Sequence, residues 1–149
     1  MHVQRTWILI ADAAHARILE STGSAHPLVQ MPSMTLHADL PRTHDLGSDR
    51  PGRTHESSGP GRHAIEPRTD AHRELKRNFA DLVAERLEAA MAAKALDKLV
   101  IVSPPAMLGD LRAALARTVT DHIIAEIPRD LVHVPNDGIR LHLDPHVLV

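Results

Sequence analysis

The sequence contains no cysteine and almost no aromatic residues. Among 149 residues there are no Cys and no Tyr, one Phe and one Trp. Without thiols there can be no disulfide framework, no thiolate metal site and no cysteine nucleophile. With so few rings, a protein that reads unpaired bases by stacking them on aromatic side chains is excluded. An excess of one charge is also missing, since 17 Lys and Arg oppose 19 Asp and Glu, and this excludes a globally basic coat for nucleic acid.

Long apolar runs are missing as well. No run approaches the roughly 18 apolar residues of a membrane span, and the apolar stretch at residues 7–11 is too short for a secretory signal. We therefore expect a cytoplasmic protein without membrane insertion. The length and the 43% of hydrophobic residues predict a single domain over residues 1–149. No nucleotide-binding or nucleophile-elbow motif occurs, so no cofactor is expected. The sequence does not decide whether the protein forms a homo-oligomer.

Apolar patterns and turn signals predict five strands and three helices in the order β-β-β-α-β-α-β-α. The runs 7–11 and 99–102 are continuous and rich in β-branched residues, which is typical of strands buried on both faces. The remaining predicted strands are 16–21, a weaker 28–36 interrupted by Pro32, and 122–127. The predicted helices are 71–94, a second one that Ser103 caps with Pro104 as its first residue, and a short closing helix, 136–143.

The lengths of the connections predict how these strands pair. Three strands joined by short turns should run antiparallel, and the strand–helix–strand unit from Leu99 to Ile127 should be a right-handed parallel crossover. The expected fold class is therefore α/β, with a mixed five-stranded sheet and helices over its faces. This is the layout of ribonuclease H-like domains and of the middle domain of archaeal–eukaryotic release factors.

A long segment without an apolar pattern, residues 39–69, precedes the first predicted helix. Residues 47–67 hold seven of the eighteen Gly and Pro of the chain, which disfavours a regular element and predicts a functional or flexible loop. Arginine pairs phosphates bidentately, and glycine lets the backbone approach a ligand closely. The loop is therefore predicted to bind RNA or phosphate through nine residues: Asp49, Arg50, Gly52, Arg53, Gly59, Gly61, Arg62, His63 and Arg68. The loop has four arginines and three acidic residues, so its net charge is small, and a solvated surface loop is the alternative.

Three carboxylates have the positions, but not the full number, of a two-metal nuclease site. Asp12 ends the first predicted strand, Glu74 begins the first helix and Asp137 lies in the last, as metal ligands do in ribonuclease H-like nucleases. The fourth strand ends in Ser103 and Pro104, where such enzymes carry another carboxylate. We interpret the three as turn and cap residues and expect no catalytic site, which leaves a metal-dependent hydrolase as a less favoured alternative.

Twelve histidines are an excess for this length, but their spacing predicts no metal site. His142, Asp144 and His146 alternate, which on a strand would place three ligands on one face. Pro145 and the nearby end of the sequence disfavour a regular strand there. Most of the histidines are expected to be exposed and to become charged below about pH 6.5.

Several segments together resemble the bacterial host attachment protein family. They are residues 7–12 (WILIAD) with 16–18 (ARI), 45–53 (DLGSDRPGR), 61–64 (GRHA) and 99–109 (LVIVSPPAMLG), and the resemblance runs from Arg5 to Leu143. The family takes its name from a proposed role in attachment to host cells. It is similar in fold to bacterial relatives of archaeal–eukaryotic release factors, some of which act on ribosomes. In those factors a Gly-Gly-Gln loop precedes the long helix; residues 59–63 (GPGRH) stand in that place without Gln, so ester hydrolysis does not carry over.

The resemblance and the loop composition together predict a cytoplasmic, non-catalytic factor that binds the ribosome or structured RNA. Arg50, Arg53, Arg62 and Arg68 would contact phosphates, and His63 would add a pH-dependent donor. The alternative is a protein-interaction module that affects host attachment or surface properties indirectly. In that case the same arginines pair with carboxylates on a protein partner.

Overall fold

The structure is a computed structural model of the chain, which describes residues 2–39, 61–144 and 147, the side chains of residues 61–69 excepted. The described residues form six strands: β1 Thr6–Ala11, β2 His15–Ser21, β3 Val29–Gln30, β4 Leu36–His37, β5 Lys98–Val102 and β6 Ile123–Ile127. They also form the helices α1 Gly61–Ala92, α2 Pro105–Ala114 and α3 Arg117–Thr120. Two 3-10 helices cover Pro32–Met34 and Asn136–His142.

The strands make one mixed sheet in the order β3-β2-β1-β5-β6, and β4 also pairs with β2. β1 and β2 form an antiparallel hairpin, whereas β5 is parallel to both β1 and β6. The α/β class, the antiparallel start and the parallel pairing after it are therefore confirmed. The likeness to ribonuclease H-like domains and to the release-factor middle domain stays a prediction.

The single strand predicted at 28–36 is wrong. Two short strands, β3 and β4, pair with β2 instead, and a 3-10 helix that begins at Pro32 separates them. Proline fixes φ and has no N–H to donate to a ladder, so the chain turns at this residue. The sheet thus has six described strands rather than five, and the predicted element order changes accordingly.

The first helix begins ten residues earlier than predicted, at Gly61 rather than at residue 71. Gly61, Arg62, His63 and Arg68 of the predicted loop therefore belong to α1, and the loop boundary at residue 69 is wrong. The prediction gave the Gly and Pro of this segment more weight than its Arg, Ala and Glu, which favour helix. Pro67 lies inside α1, although a proline in a helix interior removes a backbone hydrogen bond and its ring crowds the preceding turn. The helix ends at Ala92, and Lys94 follows with φ of 57°, the left-handed conformation common after a helix end.

The expected cap at Ser103 is also wrong. Pro104 occupies the cap position of α2, Pro105 begins the helix, and no side chain caps it. Ser103 extends the sheet instead, since its amide donates to the Ile127 carbonyl at 3.0 Å. The short helix α3 lies in a segment for which no helix was predicted, and the closing helix expected at 136–143 is a 3-10 helix.

Alternating residues of β1 and β5 supply two apolar clusters, one on each face of the sheet. Leu9 and Ile101 face α1 and α2, where they pack with buried Phe79, Leu87 and Leu111. On the opposite face lies a second cluster, which the segment 131–143 covers with its own buried side chains: Ile8, Ile10, Leu19, Val100, Val102, Leu131, Ile139 and Leu143. Continuous apolar runs are required here because both faces of β1 and β5 are buried.

The segment 131–143, hereafter the carboxyl-terminal strap, is fastened to the sheet by Arg17 of β2. Its guanidinium donates to Asn136 Oδ1 at 2.8 Å, to the Val132 carbonyl at 2.6 Å and to the Val134 carbonyl. Asn136 in turn donates to Gln30 Oε1 at 2.6 Å. Burial lowers the pKa of Arg17 below its ordinary value. One side chain therefore satisfies several backbone and side-chain acceptors of the strap.

Candidate functional site

The parallel strands β1 and β5 end side by side, and a cleft of about 290 Å³ opens at their carboxyl ends. Residues 12–14 form one wall, and α1 and α2 supply Arg73, Lys76, Met107 and Asp110. β1 separates the parallel half of the sheet from the antiparallel half, so the cleft lies where strand direction changes. In open α/β sheets this kind of crevice is where ligands usually bind.

Asp12 shapes the first wall of the cleft. Its Oδ1 accepts hydrogen bonds from the amides of Ala14 at 2.9 Å and His15 at 2.7 Å, and His15 Nδ1 lies 3.0 Å away. These bonds close the turn between β1 and β2, as a short carboxylate after a strand often does. The interpretation of Asp12 as a turn residue is confirmed.

Arg73 and Asp110 join α1 to α2 at the opposite wall. The two guanidinium nitrogens Nη1 and Nη2 donate to the two carboxylate oxygens at 2.8 and 2.5 Å. The Asp110 side chain is only 10% exposed, so this paired geometry compensates a carboxylate that is largely removed from water. The charges of Arg73 and Asp110 are thereby paired with each other.

Lys76 stands one turn after Arg73 and also lines the cleft. It is half-buried, and it makes no hydrogen bond or ion pair with any residue that the structure describes. The two carboxylates of the cleft are occupied by the Asp12 turn and by Arg73. The cleft is lined by two cations, Arg73 and Lys76, and by two carboxylates, Asp12 and Asp110, so its formal charges balance.

The start of α2 adds polar groups to the same place. Pro104, Ala106 and Met107 line the cleft, and no side chain caps the helix. The first backbone amides of a helix have no partner inside it, and they carry the positive end of the helix dipole. Just before them, Ser103 is fully buried, and its Oγ has no hydrogen-bond partner in the described part of the chain.

The structure places only some of the predicted loop residues. The backbone of Gly61, Arg62, His63 and Arg68 lies in α1, while Asp49, Arg50, Gly52, Arg53 and Gly59 fall outside the described residues. Along α1 the charges are unevenly distributed. Residues 61–80 carry five Lys and Arg against three Asp and Glu, whereas residues 81–92 carry one against three.

The three carboxylates of the nuclease alternative are not brought together. Asp12 lines the cleft, Glu74 is exposed on α1, and Asp137 belongs to the strap on the opposite face of the sheet. Among the described residues no three His, Asp or Glu side chains are placed to hold a metal ion. His146 of the alternating histidine group lies outside the described residues.

A larger hollow, of about 700 Å³, lies at the amino ends of β1 and β5. Asp97 accepts a hydrogen bond from the Arg5 amide at 2.7 Å, and His2 Nε2 lies 2.9 Å from its other oxygen. These two bonds hold the pKa of Asp97 below its ordinary value. Arg5 donates in turn to the Lys94 carbonyl at 2.7 Å. The polar groups here bind one another and tie the chain before β1 to the turn after α1.

Arg73, Lys76 and Asp110 were not identified from the sequence. The spacing of Arg73 and Lys76, three residues apart on a predicted helix, does indicate that they share one side of it. Asp110 lies on another helix, so its pairing with Arg73 depends on how α1 and α2 pack together. The sequence did not show that α2 lacks a side-chain cap, because serine, the residue at position 103, is a common helix cap.

Comparison with known proteins gives one family. The sequence model of the family described as "Protein required for attachment to host cells" matches residues 7–143. Among curated proteins, none matches the chain. In the described part of the chain, no helix combines the length and the apolar character needed to cross a membrane.

Proposed function

The chain belongs to the family of proteins required for attachment to host cells, and from this premise we propose that it acts as a non-catalytic factor that binds structured RNA, the ribosome included, in the cytoplasm. The binding surface is the amino-terminal half of α1 together with the arginine-rich segment that precedes it. Attachment would then depend on this protein indirectly, through what it does to the RNA it binds.

The charge distribution along α1 is the observation that carries the proposal. Because the helix extends back to Gly61, Arg62 and Arg68 belong to the same helix as Lys76 and Arg77. Arg77 is exposed and, like Lys76, has no ion-pair partner among the described residues. Cations on one rigid element, with Arg50 and Arg53 close before it in the sequence, suit the phosphate backbone of folded RNA. They do so without the aromatic rings that the chain lacks.

The test is co-sedimentation of the purified protein with ribosomes at several salt concentrations. Replacing Arg50, Arg53 and Arg62 together by Ala removes three cations from the proposed surface. If each contacts a phosphate, the variant binds more weakly, and the slope of log K against log salt flattens by about 2 to 3 units.

A matched variant keeps this result specific. Replacing Arg86, Arg117 and Arg129 by Ala removes the same charge from exposed positions elsewhere on the protein. We expect this variant to pellet like the wild type. If both triple variants lose binding equally, binding depends on the net charge of the protein and not on the proposed surface. If neither variant loses it, or the wild type does not pellet at low salt, the RNA proposal is wrong.

A protein partner is the second candidate, and the description of the family favours it. Attachment to a host cell ends in contact between surfaces, and arginines pair with carboxylates of a protein as readily as with phosphates. Affinity capture with the full chain before and after nuclease treatment separates the two candidates. Loss of all captured partners after nuclease supports RNA. Retention of one protein that the Arg50, Arg53 and Arg62 variant fails to capture supports the second candidate.

A further inference from the structure

Two histidines face each other across the antiparallel pair of β2 and β4. His15 begins β2 and His37 ends β4, and the two are direct partners in the register of these strands. Directly opposite residues of an antiparallel pair project to the same side of the sheet. The centres of the two rings lie 5.6 Å apart, and their planes meet at 46°. The spacing of histidines along the sequence could not show this pair, because its members come from different strands.

The separation of the two rings fits one shared metal ion. In tetrahedral zinc sites each histidine nitrogen lies about 2.0 to 2.1 Å from the ion, so two imidazoles on one ion have ring centres roughly 5 Å apart. The 5.6 Å between His15 and His37 is close to this value, and a small rotation of either side chain closes the difference. The side chains are 54% and 62% exposed, which leaves room for that rotation and lets an ion enter from solvent.

A carboxylate lies against one nitrogen of each ring. His15 Nδ1 is 3.0 Å from Asp12 Oδ1, and His37 Nε2 is 3.3 Å from Asp39 Oδ1. A neutral imidazole that donates one N–H to a carboxylate keeps the lone pair on its other nitrogen. The nitrogens left for an ion are therefore Nε2 of His15 and Nδ1 of His37. Histidines that bind metals in proteins usually have this arrangement, with a carboxylate, a carbonyl or a water on the second nitrogen.

The backbone beneath the two histidines is held in place by the turn before β2. Asp12 Oδ1 accepts hydrogen bonds from the amides of Ala14 and His15, at 2.9 and 2.7 Å. The Ala38 amide donates to the Ala14 carbonyl at 2.8 Å, which fixes the end of β4 against this turn. The two histidine backbones are thus positioned before an ion arrives. Binding has to restrict only the rotation of two side chains, which keeps its entropic cost small.

We propose that His15 and His37 together bind a divalent transition-metal ion such as Zn²⁺, with water in its remaining coordination positions. No third His, Asp or Glu among the described residues is placed to join them, so the protein supplies two ligands. Imidazole nitrogens suit zinc and copper, whereas Mg²⁺ takes oxygen ligands. The bound ion joins β4, a strand of only two residues, to the longer strand β2. This site is separate from the arginine-rich surface and does not depend on RNA binding.

The test is an NMR titration of the full-length protein, free of any histidine tag, with Zn²⁺. We expect the amide resonances of His15, His37 and Ala38 to move together with a saturable profile, and Mg²⁺ to leave them in place. His15→Gln and His37→Gln each leave a single imidazole, so the Zn²⁺ affinity at this site should fall about tenfold or more. Because an ion stabilises the state that binds it, Zn²⁺ should raise the urea midpoint of the wild type and not those of these two variants.

His133→Gln is the matched control. It removes an exposed imidazole of the carboxyl-terminal strap and leaves the pair of β2 and β4 intact, so its Zn²⁺ titration should match that of the wild type. The proposal is overturned if the Ala38 amide shows no saturable change up to about 1 mM Zn²⁺. Equal weakening in His37→Gln and His133→Gln also overturns it, because zinc would then bind exposed histidines only adventitiously. Neither result bears on ribosome binding by the Arg50, Arg53 and Arg62 variant, so the two proposals fail separately.

Discussion

Replacing Arg17 by Met tests what holds the carboxyl-terminal strap against the sheet. Methionine keeps a long apolar stem over β2 but has no donor for Asn136 or for the carbonyls of Val132 and Val134. The strap covers the buried residues Ile8 and Val100, so loosening it exposes one face of the sheet. We therefore expect a loss of global stability and not only a local change.

The magnitude follows from the three hydrogen bonds. A hydrogen bond to a charged group contributes about 1.5 to 3 kcal/mol, which gives a gross loss of about 5 to 9 kcal/mol. Two terms reduce it. The guanidinium is partly desolvated in the folded protein, as its lowered pKa indicates, and that cost disappears with the charge. Val132 and Val134 are only half-buried, so water can replace part of the lost bonds. We expect a net loss of about 2 to 4 kcal/mol, while Arg17→Lys loses less because one ammonium cannot reach all three acceptors.

The assay is urea unfolding followed by the fluorescence of Trp7, which is the single tryptophan and is buried in β1. Hydrogen exchange of the strap amides is measured alongside. The Val134 and Gly138 amides, which donate to Leu131 and Pro135, should lose protection in Arg17→Met. A change of less than about 0.5 kcal/mol, the level of an ordinary surface substitution, would refute the reasoning.

Two further substitutions test the ion pair at the cleft and the turn before β5. Arg73→Lys should cost about 1 to 2 kcal/mol in urea unfolding, because lysine cannot bond both oxygens of the largely buried Asp110. Arg117→Lys is the control. Arg117 lies 3.8 Å from Asp121 and both side chains are mostly exposed, so this change should alter stability by less than about 0.5 kcal/mol. For Asp97 the pKa is lower in the folded protein than its ordinary value of 3.8, so the charged form stabilises the fold above that pH, and the contribution disappears as the pH falls through the lowered value. Asp97→Asn should therefore destabilise the protein at pH 6, and its difference from the wild type in unfolding curves should shrink as the pH falls below 3.8 and through the lowered pKa of Asp97. A difference that is constant with pH would contradict this assignment.

The strands were predicted best where both of their faces are buried. The runs around Leu9 and Ile101 have to be apolar at every position, and that requirement is visible in the sequence itself. The limits of elements were predicted less well. Pro32 divides one expected strand into two, and α1 begins at Gly61, ten residues before the predicted start.

The candidate site could be predicted only in part, for a physical reason. Asp12 acts through its own neighbours in the chain, so its role in a turn follows from local sequence. The meaning of Arg73 depends on Asp110, which lies 37 residues away on another helix. Only the packing of α1 on α2 shows that this arginine is committed and that the neighbouring Lys76 is not.

The two ends of the parallel strands differ in how completely their polar groups are satisfied. At the amino ends Asp97 accepts a hydrogen bond from the Arg5 amide and pairs with His2, so its carboxylate is satisfied. At the carboxyl ends of the strands the Ser103 hydroxyl is buried without a partner among the described residues. Ser103→Ala should therefore leave the stability in urea unfolding unchanged or raise it, because it removes a buried hydroxyl that has no described partner.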